Sequence, residues 1–253
     1  MATIHVFRHA EGMHNRFAEF RKTRDPDLTE EGRQQCRGFA REFPYMDKVT
    51  HLVSSPMRRA INSTLLAFAP VSTRQKIILL PELTEAGSRV SSFGSDPSEL
   101  LREFGDKVDL DAVPKQWNRL DPSSQFAYDL EKIEARTAAA REWLMELALA
   151  AGEGSHVVVM THGQTAHFVT DDFEGVRPPK YTCDWRGNLE YRSYRFDFAS
   201  RKMVETSESR MRRGMPPAYT LDEAAKKEIK DVLRRRILER TPEVHELYEA
   251  YKL

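Results

Sequence analysis

Cysteine is scarce in this chain, and the two it has, Cys36 and Cys183, lie far apart. That spacing matches neither a metal-ligand pattern nor a disulfide framework, so reduced thiols in a cytoplasmic protein are the expectation. Net charge is missing as well: 39 Lys+Arg stand against 39 Asp+Glu, for a formal charge of +0 at pH 7. No whole-molecule field draws nucleic acid or an anionic membrane surface, and neither partner is expected. No apolar run reaches the roughly 18 residues of a membrane span. The first residues also lack the basic-then-apolar pattern of a secretory signal. No repeat or low-complexity segment is present. With 253 residues, 40% hydrophobic and 31% charged, the chain has an ordinary globular composition and can bury a substantial core.

Two stretches carry the chemistry. Ile4-His5-Val6-Phe7-Arg8-His9-Ala10-Glu11-Gly12 reads as a buried strand that delivers Arg8 and His9 to its carboxyl end. His156-Val157-Val158-Val159-Met160-Thr161-His162-Gly163 repeats that grammar, with a second histidine at a second strand end. In an open α/β sheet ligands bind beyond the carboxyl ends of the strands, so both histidines are expected in one site.

Between them the chain alternates strand and helix. Thr29 followed by Glu30 and Glu31 is a helix start, and Gly32, Gln35, Cys36, Phe39, Ala40 and Phe43 keep the helical period up to Pro44. His51 to Ser54 is a strand, after which Ser55 is read as an N-cap with Pro56 at the first helical position. Arg58 and Arg59 then fall in a first helical turn, where the helix dipole disfavours cations and a bound anion would explain them. Lys76 to Pro81 is a third strand, leading to Glu82-Leu83-Thr84-Glu85.

Residues 86–125 lose periodicity except for a short helical segment near 97–104. That is too long for a plain connection, so it is read as a cap inserted over the strand ends. Phe126, Leu130, Ile133, Thr137, Ala140, Leu144, Leu147 and Ala151 form the stripe of one long amphipathic helix. The segment is too short for a coiled coil, which leaves packing on the sheet. A helix from Gly163 to about Phe173 follows, stopped by Pro178-Pro179, and Tyr191 to Phe198 alternates like an edge strand. Beyond residue 215 a capping-box pattern at Thr220 to Glu223 starts a basic helix to about Leu238. Thr241-Pro242 starts another, with Val244, Leu247, Tyr248 and Tyr251 on one face.

The ordered set Arg8-His9-Ala10-Glu11, Asn15, Asp27 to Gly32, Ser54 to Ala60, Leu83-Thr84-Glu85 and Thr161-His162-Gly163 resembles the histidine phosphatase (phosphoglycerate-mutase-like) superfamily, branch 1 type. The resemblance covers most of residues 3–170. It implies an α/β fold in three layers, with a mostly parallel sheet between helices. The expected division is an α/β domain over 1–215, with its cap at 86–125, and a helical C-terminal extension over 216–253 that clasps the domain or a second copy in a homodimer.

The resemblance further implies phosphoryl transfer through a phosphohistidine on His9, with Arg8 and Arg59 binding phosphate. It selects Arg59 over its neighbour Arg58. His162 completes the cradle and Glu85 is the general acid; Glu82, three residues away, stays open for that role. Asn15 and Gln164 are further candidates for phosphate contact, Asn15 being equally suited to stabilising a turn. The groups of this cradle are expected to raise the His162 pKa, and an adjacent phosphate to raise that of Glu85. No cofactor and no metal are expected, because the histidines show no recognised ligand spacing with Asp, Glu or Cys. The Arg-rich runs at 210–213 and 234–236 read as solvated helix faces. The expected activity is hydrolysis of a small phosphorylated metabolite. A mutase-type phosphotransferase and a non-hydrolytic enzyme reusing the anion pocket are the alternatives.

Overall fold

The computed structural model describes residues 1–176, 185, 187–218 and 221–251. Pro178-Pro179, Cys183 and Thr220 lie outside that set. The chain runs β1 (Thr3–Arg8), α1 (Met13–Arg16), α2 (Glu30–Phe39), β2 (Val49–Ser54), α3 (Arg58–Ala67) and α4 (Ala69–Ser72). It continues with β3 (Ile77–Leu79), α5 (Pro97–Phe104), β4 (Val108–Asp109), α6 (Leu130–Ala151), β5 (His156–Thr161) and α7 (Gly163–Thr170). Last come β6 (Tyr191–Asp197), β7 (Lys202–Glu205), α8 (Ser207–Arg212) and α9 (Glu223–Tyr251).

The strands form one mixed sheet of order β4-β3-β2-β5-β1-β6-β7. β1, β2, β3, β4 and β5 are parallel, and β6 and β7 close one side antiparallel. Alternation along β1 explains the three layers. Ile4 and Val6 pack with Ala140 and Leu144 of α6 and Ala166 and Val169 of α7, whereas Phe7 joins Cys36, Ala60 and Ile61 of α2 and α3 on the opposite face. On that second face the Phe7 ring stacks on Tyr191 at 4.8 Å and meets Phe68 edge-on at 5.2 Å. Every residue of β5 is buried, as befits a central parallel strand.

The helix starts follow their caps. The Thr29 side chain accepts the Gly32 N–H at the head of α2, and the Asp129 side chain accepts the Lys132 N–H at the head of α6, whose first residue, Leu130, is the second of the expected stripe. At Ser55-Pro56 the expectation is corrected: α3 begins at Arg58, and the Ser55 hydroxyl is engaged by His162 at 2.9 Å instead. After Gly12 the chain forms the short helix α1. α7 stops at Thr170 rather than near Phe173, because Asp171 turns left-handed at φ 50°.

Residues 86–125 are more than a cap. α5 lies where expected, but β4 adds a strand to the sheet, and Phe93, Phe104, Trp117 and Leu120 are buried in the main core. β6 is not an edge strand, since β7 pairs outside it and Arg192 and Ser193 of β6 are buried. The two expected C-terminal helices are one, with Pro242 inside it. Ile229, Val232, Leu233, Ile237 and Val244 of α9 pack against Tyr128, Leu130, Ile133, Phe168 and Phe173, so the extension clasps its own chain. No helix among the described residues is long and apolar enough to cross a membrane.

Candidate active site

The parallel register sets the site. Arg8 pairs with Thr161 across β1 and β5, so the next residue of each strand, His9 and His162, leaves the sheet at the same level. Their ring centroids lie 5.1 Å apart, and both rings are buried. Ser54 of β2 and Met160 of β5 are also in register, which places Ser55 beside His162.

The loop after β1 is fixed from two sides. The Thr29 N–H donates to the Glu11 carbonyl at 2.9 Å, and a Cβ at Gly32 would stand 2.2 Å from that carbonyl oxygen. Only glycine allows this approach. From α3, the Ser63 hydroxyl accepts the Ala10 N–H at 3.0 Å and donates to the Arg59 carbonyl at 2.7 Å, tying His9 and Arg59 into one frame.

The His9 Nδ1–H donates to the Ala10 carbonyl at 2.6 Å. A carbonyl can only accept, so this bond assigns the proton to Nδ1 and leaves Nε2 with its lone pair. Arg59 Nε donates to that Nε2 at 3.3 Å. Burial first, then the charges of Arg59, His14 and Arg8, hold the His9 pKa well below the usual value, so the ring is neutral. His162 is also lowered, by burial and then Arg59. The upward shift expected for His162 from the groups around it is corrected: burial and the neighbouring Arg59 charge act in the other direction.

Arg59 is 1% exposed. Its Nη1 donates to the Ser91 carbonyl at 3.0 Å and lies 3.9 Å from Asp25 Oδ1, itself buried. Asp25 also accepts the Arg58 and Ser95 N–H groups and the Ser95 hydroxyl. Arg58 turns away and holds Glu103 through two hydrogen bonds of 2.7 and 2.9 Å. The two neighbours thus separate, and only Arg59 enters the site. Arg8 Nη1 donates to the Trp185 carbonyl at 3.1 Å.

The turn after β3 carries Glu85. Arg136 Nη1 donates to the Glu82 and Thr84 carbonyls, Thr165 Oγ1 donates to the Thr84 carbonyl and accepts the Ala86 N–H, and Thr161 Oγ1 donates to the Leu83 carbonyl. Glu85 Oε2 lies 3.7 Å from His162 Nδ1, and Oε1 has no hydrogen-bond partner among the described residues. Burial pushes the Glu85 carboxyl above its usual range, against the pull of Arg59 and Arg8. The Glu82 carboxyl is raised by burial too, but its side chain lines neither of the cavities described next.

Two adjoining cavities meet here. One, of about 310 Å³, is lined by Arg8, His9, Gly163 and Trp185; the other, of about 190 Å³, by Arg59, Tyr128, Arg89, Arg236 and Arg240. His14, Asn15, Glu85 and Gln164 border both. Six of the candidates, Arg8, His9, Asn15, Arg59, Glu85 and Gln164, line one or both cavities, and His162, which lines neither, is buried directly behind them with its ring centroid 5.1 Å from that of His9. Asn15 plays the turn part, its Oδ1 accepting the Gly12 N–H at 2.9 Å, while Nδ2 donates to His14 Nε2 at 3.2 Å.

Sequence reasoning assigned no part in this site to Asp25, Ser55, Arg136, His14 or the guanidinium groups of α9. The His14 Nδ1–H is buried at the cavity wall without a partner among the described residues, and burial and nearby arginines lower its pKa to about 2. No local pattern marks any of these residues. His9, Glu85 and His162 offer three ligand atoms within 4.8 Å of one another, a spacing that could hold a metal ion. Asp172, Glu174 and Glu205 form a second such group, in which Arg210 and Arg213 pair with Glu174 and Glu205, and Arg192 with Asp172.

No curated protein matches this chain. Among solved structures it is similar to the ecdysone phosphate phosphatase of Bombix mori in complex with tungstate, at 16% identity and TM-score 0.53, covering 88% of this chain and 95% of that one. It is similar to a phosphoglycerate mutase from Bacillus anthracis at 17% identity and TM-score 0.52, covering 90% and 96%. A third likeness is the phosphoserine phosphatase of Entamoeba histolytica in complex with 3-phosphoglyceric acid, at 17% identity and TM-score 0.50, covering 89% and 100%. These likenesses establish the fold. The model of the histidine phosphatase superfamily (branch 1) matches residues 4–207, and the chain belongs to that family.

Proposed function

We propose that this protein is a metal-independent phosphomonoesterase acting on a small phosphorylated metabolite through a phosphohistidine at His9. The observation that carries the reading is the His9 tautomer. With Nδ1–H held by Ala10, the lone pair of a neutral ring stands at Nε2, facing Arg59 and 5.1 Å in ring-centroid distance from His162.

In the first step Nε2 attacks phosphorus, the N–P bond forms, and the bond to the leaving oxygen breaks. Glu85 donates its proton to that oxygen; its raised pKa supplies the acid form. Arg8 and Arg59 carry the charge of the phosphoryl oxygens. Ser55 Oγ lies 2.9 Å from His162 Nε2, and with that nitrogen engaged the Nδ1 edge of the ring is the one available to a phosphoryl oxygen. In the second step water attacks phosphorus, the N–P bond breaks, and the proton of that water returns to Glu85. The Glu85 side chain keeps 18% of its surface exposed, which lets water reach the acid and favours hydrolysis over retention of the phosphoryl group for a mutase cycle.

Two guanidinium groups replace the charge that a metal would otherwise bring. At an effective dielectric near 20 a charge pair about 4 Å apart is worth roughly 4 kcal/mol, so Arg8 and Arg59 together stabilise a dianion and repel a cation. The test is phosphate release from p-nitrophenyl phosphate and a panel of phosphorylated metabolites in the presence of a chelator. Turnover in the wild type and its loss in His9→Ala support the reading. Chelator-sensitive turnover, or turnover that survives His9→Ala, contradicts it.

A further inference from the structure

Cations on α9 fall into two sets. Lys226, Lys230 and Arg234 meet acids of the domain: Asp171 at 3.1 Å, Glu134 at 2.8 Å and Glu131 at 3.8 Å. These are ordinary surface pairs. Arg236 and Arg240, four residues apart and so on one helical face, line the cavity that also contains Arg59 and Glu85. Arg89, arriving from the loop after Glu85, lines the same wall.

Neither Arg89 nor Arg240 has an ion-pair partner among the described residues, and Arg240 Nη1 donates only to the Ser88 hydroxyl at 3.2 Å. Three guanidinium groups held together repel one another. Burial, and then the charges of Arg21, Arg240 and Arg236, lower the Arg89 pKa. A local concentration of like charge with fork-shaped donors, opening onto the phosphoryl cradle, fits an anion with planar or tetrahedral oxygens.

We propose that Arg89, Arg236 and Arg240 form a second anion subsite, and that the substrate is a phosphomonoester with a further anionic group, phosphate or carboxylate, seated on it. The proposal rests on the phosphomonoester reading for the first anion. It also assigns a task to α9. The family model ends at residue 207, so Arg236 and Arg240 lie outside the part of the chain it matches, and substrate choice is set from the added helix.

The test uses binding, so that it stands apart from turnover. Full-length His9→Ala protein is titrated by calorimetry with glycerol 3-phosphate against 3-phosphoglycerate, and with glucose 6-phosphate against glucose 1,6-bisphosphate. The proposal expects the doubly anionic member of at least one pair to bind tenfold tighter or more, and the pair that shows it tells carboxylate from phosphate. Adding Arg236→Ala and Arg240→Ala reduces that preference to within about twofold. Adding Lys230→Ala and Arg234→Ala, which removes the same charge from residues that line neither cavity, preserves it. Equal affinity within both pairs, or a preference that survives the Arg236/Arg240 changes, overturns the proposal. Failure of the wild type to release phosphate would instead count against the hydrolase reading, whatever the binding result.

Discussion

Arg59 Nε stands 3.3 Å from His9 Nε2 and donates to it. The guanidinium thus occupies the lone pair that the proposed reaction uses. A phosphoryl group reaching Nε2 must take over that N–H, so its oxygen meets the donor at the moment phosphorus meets the nucleophile. Positioning of this kind accounts for a large share of many enzymatic rate gains.

Arg59 is held by the Ser91 carbonyl and by Asp25. Asp25→Asn keeps the acceptor oxygen and removes the charge. We expect kcat/KM for phosphate release to fall roughly 10- to 100-fold, mostly in kcat, with the thermal midpoint little changed. Unaltered kinetics would show that Asp25 does not position Arg59.

The pH profile follows from the buried groups. Glu85 must be protonated to act, and its pKa is raised, so kcat/KM is flat at low pH and falls as pH rises through that value. His9 and His162 are held well below 6.5, so activity should persist at pH 5, where ordinary imidazoles are charged. Glu85→Gln should lower the rate on the order of 10²- to 10⁴-fold and abolish the alkaline limb. A limb that remains in Glu85→Gln would assign it to another group.

Acid should also weaken the fold. His5 is buried against Ser193 and His156, and burial, then the charges of His156 and Arg212, lower its pKa to about 3. The unfolded chain therefore binds a proton at this ring that the folded chain refuses. The stability this ring contributes is full above about 6.5 and is lost as pH falls toward about 3. Urea midpoints between those values should decline, and the decline should be shallower in His5→Gln. Equal slopes in the two proteins would contradict this.

How much of this was legible depended on whether a feature is local. β1 and β5 are marked by apolar runs ending in His, and α2 by Thr29 with its acids, so the sheet centre and one helix face follow from neighbours in sequence. β4 and β7, of two and four residues, carry too little period to be seen. Pro242 reads as a helix start because it removes a backbone donor, yet Ile237, Val244 and Tyr248 bury enough apolar surface on both sides to carry α9 through it. Arg58 and Arg59 are indistinguishable by composition and are separated only by Glu103 and Asp25, which reach them from other parts of the fold. Arg236 and Arg240 look like a solvated basic face until α9 is laid over the cavity.

The most direct test of the account is the site of phosphorylation during turnover. After rapid mixing with substrate and alkaline quench, peptide mass spectrometry should find phosphate on His9, attached through Nε2, and none in His9→Ala. Phosphate on His162, or hydrolysis with no phosphohistidine trapped at any time point while His9→Ala still turns over, would contradict it.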